Sequence, residues 1–283
     1  MMTPSRRQAL ALIGAVCAAP ALAQAEPPIR LGLTPVFLDN DSEVILRLRE
    51  ALAKGTGRSI ELVQRRTYQE VSGLLLEGAV DAAWLCGFPF LQHEHHLTLL
   101  GVPVWRGAPL YQSYLIVRSD DPATGLSDLR GGTHAYSDPD SNSGWLVTAS
   151  DIFRLGARPE EFFARTLFAY GHRNVARSVA GGLTRSGSID GYVWEALAQV
   201  EPDLTARTRI IGRSEKLGFP PFVTRSDHVD SLSTGLLRRA LLDLSASPDG
   251  QTALGLLQLD KIIRGDKALF DGIRARMRDV QGS

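Results

Sequence analysis

The stretch Asp138-Pro139-Asp140-Ser141-Asn142-Ser143-Gly144-Trp145 joins short polar side chains to a helix-opening pattern. A turn of that composition presents free backbone N–H groups and hydroxyls, the donor set of an anion site; the same composition also makes a plain N-cap. Gly171-His172-Arg173-Asn174 puts a histidine at a second helix start. If His172 donates to an oxyanion as its protonated form, affinity falls as pH rises through its titration; a capping or surface role is the other reading. Asp190 follows the strand-like Ser188-Ile189. A carboxyl there either accepts from a ligand hydroxyl or protonated oxyanion, or caps the next helix. Cys86 ends another strand-like run and is either a packed small hydrophobe or a thiol within reach of a ligand. Paired with His172 it would be a nucleophile and base for a thiol hydrolase, although no third group that orients the base is visible. Gln92-His93-Glu94-His95-His96 offers zinc or copper ligands, but residues two apart do not share a helix face, and a polar surface turn is the simpler reading.

The chain carrying these groups has 283 residues, 44% hydrophobic and 22% charged, which excludes disorder, collagen and coiled coil. Its 31 Lys+Arg balance 31 Asp+Glu, so there is no basic stripe to hold a nucleic acid. Length suggests about two domains, with enough core that stability calls for no cofactor, metal or disulfide. Residues 1–25 read as an export signal: Arg6-Arg7, an apolar run from Ala9 to Ala19, and Ala23-Gln24-Ala25 before a cleavage point. Ser5 to Leu10 resembles a twin-arginine signal, a plain secretory signal is the other option, and both lead to the periplasm. Cleavage would remove Cys17 and leave Cys86 alone, so no intrachain disulfide is expected in the mature chain.

Strands and helices must alternate to place these groups. Ile29 to Leu33 reads as a strand, followed by the acidic cap region Asp39-Asn40-Asp41-Ser42 and a helix through Val44, Ile45, Leu48 and Leu52. Ser59 to Gln64 is the next strand, Tyr68 to Glu77 a helix stopped by Gly78, and Val80 to Leu85 a third strand. Tyr111 to Arg118 is a longer extended run that starts a second set of units: Gly132 to Tyr136, a helix from Ser143, Thr166 to Ala169, and a helix from His172. Thr208 to Gly212 and Pro221 to Thr224 then lead to a C-terminal pair of helices. The expected fold is α/β, with two doubly wound, mostly parallel lobes joined by two extended crossings. Lobe 1 would take 26–112 and 215–283, and lobe 2 would take 113–214. Ligands of such sheets bind at the carboxyl ends of the strands.

Four segments, in order, resemble the family of phosphate, phosphite and phosphonate periplasmic binding proteins. Gly78 to Phe90 is similar to that family's strand and turn after its first-lobe helix. Asp138 to Leu146 resembles its Ser-x-Ser-Gly anion-binding helix start, Gly171 to Gly182 its histidine-led helix, and Ser188-Ile189-Asp190-Gly191-Tyr192-Val193 its acidic strand end. The resemblance implies a non-enzymatic type II receptor that closes two lobes on a small oxyanion. It implies that Ser141, Asn142 and Ser143 hold the anion, that His172 and Asp190 complete that wall, and that Tyr68, Cys86 and Tyr111 approach from the first lobe or hinge. The implied partners are the permease subunits of an ABC importer, or the sensor domain of a membrane histidine kinase. For the sensor alternative, arsenite receptors within the family use a cysteine, and a soft thiol at Cys86 suits that ligand. Gly182-Leu183-Thr184-Arg185-Ser186-Gly187 lacks the acidic residue usual in that turn.

Overall fold

The computed structural model describes residues 26–35 and 42–281. The export signal and Cys17, and the cap region Asp39 to Asp41, lie outside the described residues. In chain order the strands are β1 (Ile29–Leu33), β2 (Ile60–Gln64), β3 (Ala82–Trp84), β4 (Leu97–Val104), β5 (Leu110–Tyr111), β6 (Ser113–Arg118), β7 (Thr133–Tyr136), β8 (Arg165–Phe168), β9 (Ser186–Asp190), β10 (Thr208–Arg213), β11 (Leu217–Gly218), β12 (Phe222–Arg225) and β13 (Lys261–Ile263). Six of them form one sheet in the order β13-β4-β12-β3-β1-β2, and five form a second in the order β10-β6-β9-β7-β8. Between the sheets β5 and β11 pair antiparallel, with Tyr111 opposite Leu217. The fold is therefore α/β with two sheets and a two-strand hinge.

The sheets are more mixed than expected. β1 is parallel to β2 and β3, and β7 is parallel to β8 and β9. β12 runs antiparallel to both β3 and β4, and β13 antiparallel to β4. The reason is topological: the chain re-enters the first sheet from the hinge, so its returning strand runs against those already placed. β4 is an eight-residue strand that the sequence pattern does not announce, because Gly101 and Pro103 interrupt it. Pro103, which lacks a backbone donor, lies opposite Ile262 of the edge strand β13.

Five helix or turn starts follow the carboxyl ends of parallel strands, and each has a local cause. Before the helix Tyr68–Leu76, Thr67 and Glu70 form a capping box, the Thr67 hydroxyl accepting from the Glu70 N–H and the Glu70 carboxylate from the Thr67 N–H. Cys86 precedes the short helix Gly87–Gln92. Ser141 caps a π-helical turn, Asn142–Leu146, that runs into the helix Val147–Arg154. Gly171 takes φ 145°, a conformation open to glycine, just before the helix His172–Ala180. Asp190 caps the helix Gly191–Val200. The positions after β2, β3, β7, β8 and β9 thus face one cleft.

Gly144 shows how tightly this turn is built. A Cβ there would lie 1.8 Å from Ser137 Oγ and 2.6 Å from Ser137 Cβ. Gly144→Ala is expected to cost about 1–3 kcal/mol in thermal or denaturant unfolding. Adding Ser137→Gly should restore most of that loss, and no rescue would mean that the strain lies elsewhere.

Candidate functional site

Tyr68, Cys86, Tyr111, Ser141, Asn142, Ser143, His172 and Asp190 are each at most 2% exposed, and two sets of hydrogen bonds cross the cleft, Asn142 with Cys86 and Tyr111, and Tyr68 with His172. Asn142 stands at the centre. Its N–H donates to Cys86 Sγ (3.3 Å) and its side-chain Nδ2 donates to the Tyr111 hydroxyl (2.8 Å). Its side-chain Oδ1 is buried without a hydrogen-bond partner. The Ser141 hydroxyl oxygen accepts from the Gly144 N–H (2.9 Å), so the capping reading of that residue is physically realised. The Ser143 carbonyl accepts from the Ser113 hydroxyl (2.6 Å). The Ser143 side chain lies near enough to the Asp190 carboxyl and the Tyr111 phenol to favour the charged form of each.

The bonds of His172 settle its tautomer. The Asp190 N–H donates to Nδ1 (3.0 Å), and burial pushes the ring down to about 3, so the imidazole is neutral and its proton resides on Nε2. Nε2 lies 3.2 Å from the Tyr68 hydroxyl and donates to it. In this structure His172 is therefore neutral, not the protonated donor that the sequence suggests. With both ring nitrogens engaged, it is also no base for Cys86. The same orientation leaves the Tyr68 O–H free to donate. Tyr111, whose oxygen takes the Asn142 amide, likewise retains its own proton for an acceptor.

Burial dominates the electrostatics. It pushes the Cys86 thiol up to about 12, keeping it protonated, and Asp190 up to about 7. Both phenols are raised well above their usual value, chiefly by burial. Among the described residues no lysine or arginine joins these bonds. An arrangement of neutral N–H and O–H donors, two of them phenolic, can hold an oxyanion through hydrogen bonds alone.

Sequence reasoning does not single out Asp138 or Ser113 for the site. The Asp138 carboxylate accepts from the Asp140 N–H (2.8 Å) and, across the cleft, from the Tyr68 N–H (3.2 Å) at a helix start. Phe88, on the helix Gly87–Gln92, stacks on Trp145 of the π-helical turn at 6.0 Å. Within the histidine-rich stretch Glu94 is paired with Arg274, and among the described residues no three His, Cys, Asp or Glu side chains gather as a metal site.

Two lobes, a two-strand hinge and a polar cluster at facing strand ends define a type II periplasmic binding protein. Residues 31–270 match the family described as ABC transporter, phosphonate, periplasmic substrate-binding protein, and the chain belongs to that family. It is 30% identical over 170 residues to the phosphate-import protein PhnD of Mycolicibacterium smegmatis, covering 55% of this chain and 53% of that one. It is also 30% identical over 125 residues to the phosphonates-binding periplasmic protein of Escherichia coli, covering 43% and 37%. The matches thus span about half or less of those curated relatives. Among solved structures, the binding component of an ABC phosphonate transporter from Pseudomonas aeruginosa superposes with TM-score 0.83 at 22% identity, over 90% of this chain and 87% of that one. PhnD1 of Prochlorococcus marinus with methylphosphonate gives TM-score 0.78 at 15% identity, over 90% and 98%. Among the described residues no helix is long and apolar enough to cross a membrane.

Proposed function

We propose that this chain is a periplasmic receptor that captures a small tetrahedral oxyanion of the phosphonate, phosphite or phosphate class and delivers it to the permease of an ABC importer. The observation that carries this reading is the pair of buried phenols, Tyr68 and Tyr111, whose oxygens already accept from His172 and Asn142 and whose protons are free for an anion. Family membership and the names of the relatives support it. Ligand binding in the closed form would favour docking to the permease by population shift. A thermal-shift screen against phosphate, phosphite, methylphosphonate, sulfate, arsenate and arsenite tests it. A ligand at 100 times its dissociation constant stabilises the fold by about 2.7 kcal/mol, or roughly 5–10 °C for a chain of this size. No shift with any phosphorus oxyanion would overturn the reading.

Ser143→Ala is expected to weaken that ligand by about 1–2 kcal/mol, measured by calorimetry, if its hydroxyl contacts the anion. Unchanged affinity would leave Ser143 as part of the turn only. A second reading rests on Cys86, whose sulfur lies inside the donor cluster. A shift with arsenite alone, abolished by Cys86→Ala, would favour a metalloid receptor acting on a sensor kinase over an importer subunit.

A further inference from the structure

A cavity of about 600 Å³ lies at the cleft mouth, lined by residues just before the helix starts that carry Tyr68 and His172. Both lobes line it. Gln64, Arg65, Arg66 and Glu70 come from the first, and Tyr170 and Asn174 from the second. Arg66 precedes Tyr68 by two residues and Tyr170 precedes His172 by two, so their Cα atoms lie at most about 7 Å from those of the Tyr68–His172 pair. Tyr68 and His172, hydrogen-bonded to each other, therefore stand close to the residues that line the mouth.

The mouth is cationic. Arg65 and Arg66 are exposed, and neither is ion-paired with a carboxylate among the described residues. Glu70, the acid lining the same cavity, has its carboxylate committed to the Thr67 N–H and hydroxyl at its own helix start. The second-lobe side is partly aromatic. Tyr170 is 42% exposed and sits at φ 49°, a left-handed conformation unusual for a bulky residue. Such strain concentrates at ligand clamps. Arg65 donates to the Gln64 carbonyl (2.7 Å), yet two guanidinium groups without a carboxylate ion pair among the described residues, together with an aromatic lip, suit a carboxylate or phosphate on a short organic chain.

We propose that the cleft mouth is a second subsite that selects phosphonates carrying another anionic group at the far end of a short chain, with Arg65 and Arg66 holding that group. This rests on the reading of the buried cluster as the oxyanion site, and it requires the tail to pass Tyr68 and His172 on its way out. The test is calorimetry with methylphosphonate and 3-phosphonopropionate on the full mature chain and on Arg65→Gln/Arg66→Gln. The natural sequence should bind 3-phosphonopropionate at least about tenfold more tightly than methylphosphonate. The double variant should reduce that preference to within about twofold while binding methylphosphonate as before. Equal affinity for the two ligands in the natural sequence, or an equal loss for both in the variant, would overturn the mouth subsite while leaving the buried site standing. No binding of either ligand would remove the buried site and the mouth subsite together. Both arginines are exposed, so the variant should fold, and its melting temperature checks this.

Discussion

Affinity for a phosphonate is expected to fall as pH rises through about 7, by up to about tenfold per pH unit, and Asp190→Asn should flatten that slope. The Asp190 carboxyl is 2% exposed and burial raises it to about 7, while the N–H groups of Val193 and Tyr192 and the Ser143 side chain pull it back down. Below that pH the group is neutral, adds no negative charge beside an arriving anion and carries a proton that it can donate. Above it, a carboxylate faces the anion with no lysine or arginine among the cluster's bonds to offset the repulsion. The surrounding groups do not titrate in the same direction over this range. His172 is held neutral down to about 3, Cys86 stays protonated up to about 12, and both phenols are raised further. Asp138 is also raised by burial, but its two oxygens accept from the Asp140 and Tyr68 N–H groups. The ligand's own ionisation affects both proteins alike, so the ratio of natural to Asp190→Asn affinity isolates the carboxyl. Calorimetric titration with methylphosphonate over about two pH units either side of 7 measures that ratio. A ratio that stays constant across the range would remove Asp190 from the anion wall.

The expected pH dependence rests on Asp190, whereas the sequence points to His172. Sequence places a histidine at a helix start but does not show what its ring nitrogens meet. The Asp190 N–H, which fixes the tautomer, comes from a residue 18 positions further on. The polar helix starts themselves are legible because each is a local event, a cap or a glycine with an unusual φ at the end of a strand. Their convergence depends on sheet order, in particular on β7 lying between β8 and β9, and on the hinge pair that brings Tyr111 to Asn142. For the same reason Asp138 stands out only in three dimensions, since its partner is a backbone group 70 residues away. The mixed sheet was not legible either, because the direction of β12 follows from the chain's return through the hinge and leaves no local pattern.

Arg276→Ala is expected to destabilise the fold by about 2–4 kcal/mol, lowering the melting temperature by roughly 5–15 °C. Arg276 lies on the C-terminal helix Asp271–Gln281 and is 3% exposed. Its Nε and Nη2 donate to both oxygens of Glu215 (3.0 and 2.6 Å), and its Nη1 donates to the Val147 carbonyl, the Ser150 hydroxyl and the Asp151 carboxylate. One helical turn on, Asp279 accepts from Ser150 and Arg154. The C-terminal helix is thereby tied to the helix Val147–Arg154 beside the second sheet. Its Ile273 and the preceding Phe270 pack against Gly87 beside the first, where a Cβ would lie 2.5 Å from Ile273 Cδ1. The Asp151 and Glu215 side chains are 39% and 46% exposed, so water screens much of the charge interaction, and the buried stem and its hydrogen bonds carry most of the loss. Arg276→Met, which refills the stem without the charge, should therefore recover about half of the deficit. A melting temperature for Arg276→Ala within a degree of the natural chain would show that the cluster contributes nothing, and equal losses for Met and Ala would assign the effect to charge. No group of the anion cluster is touched by either substitution. If Arg276→Met keeps its methylphosphonate affinity, the helix is a brace. If affinity falls tenfold or more while the protein stays folded, the same brace also biases the two lobes toward the closed form.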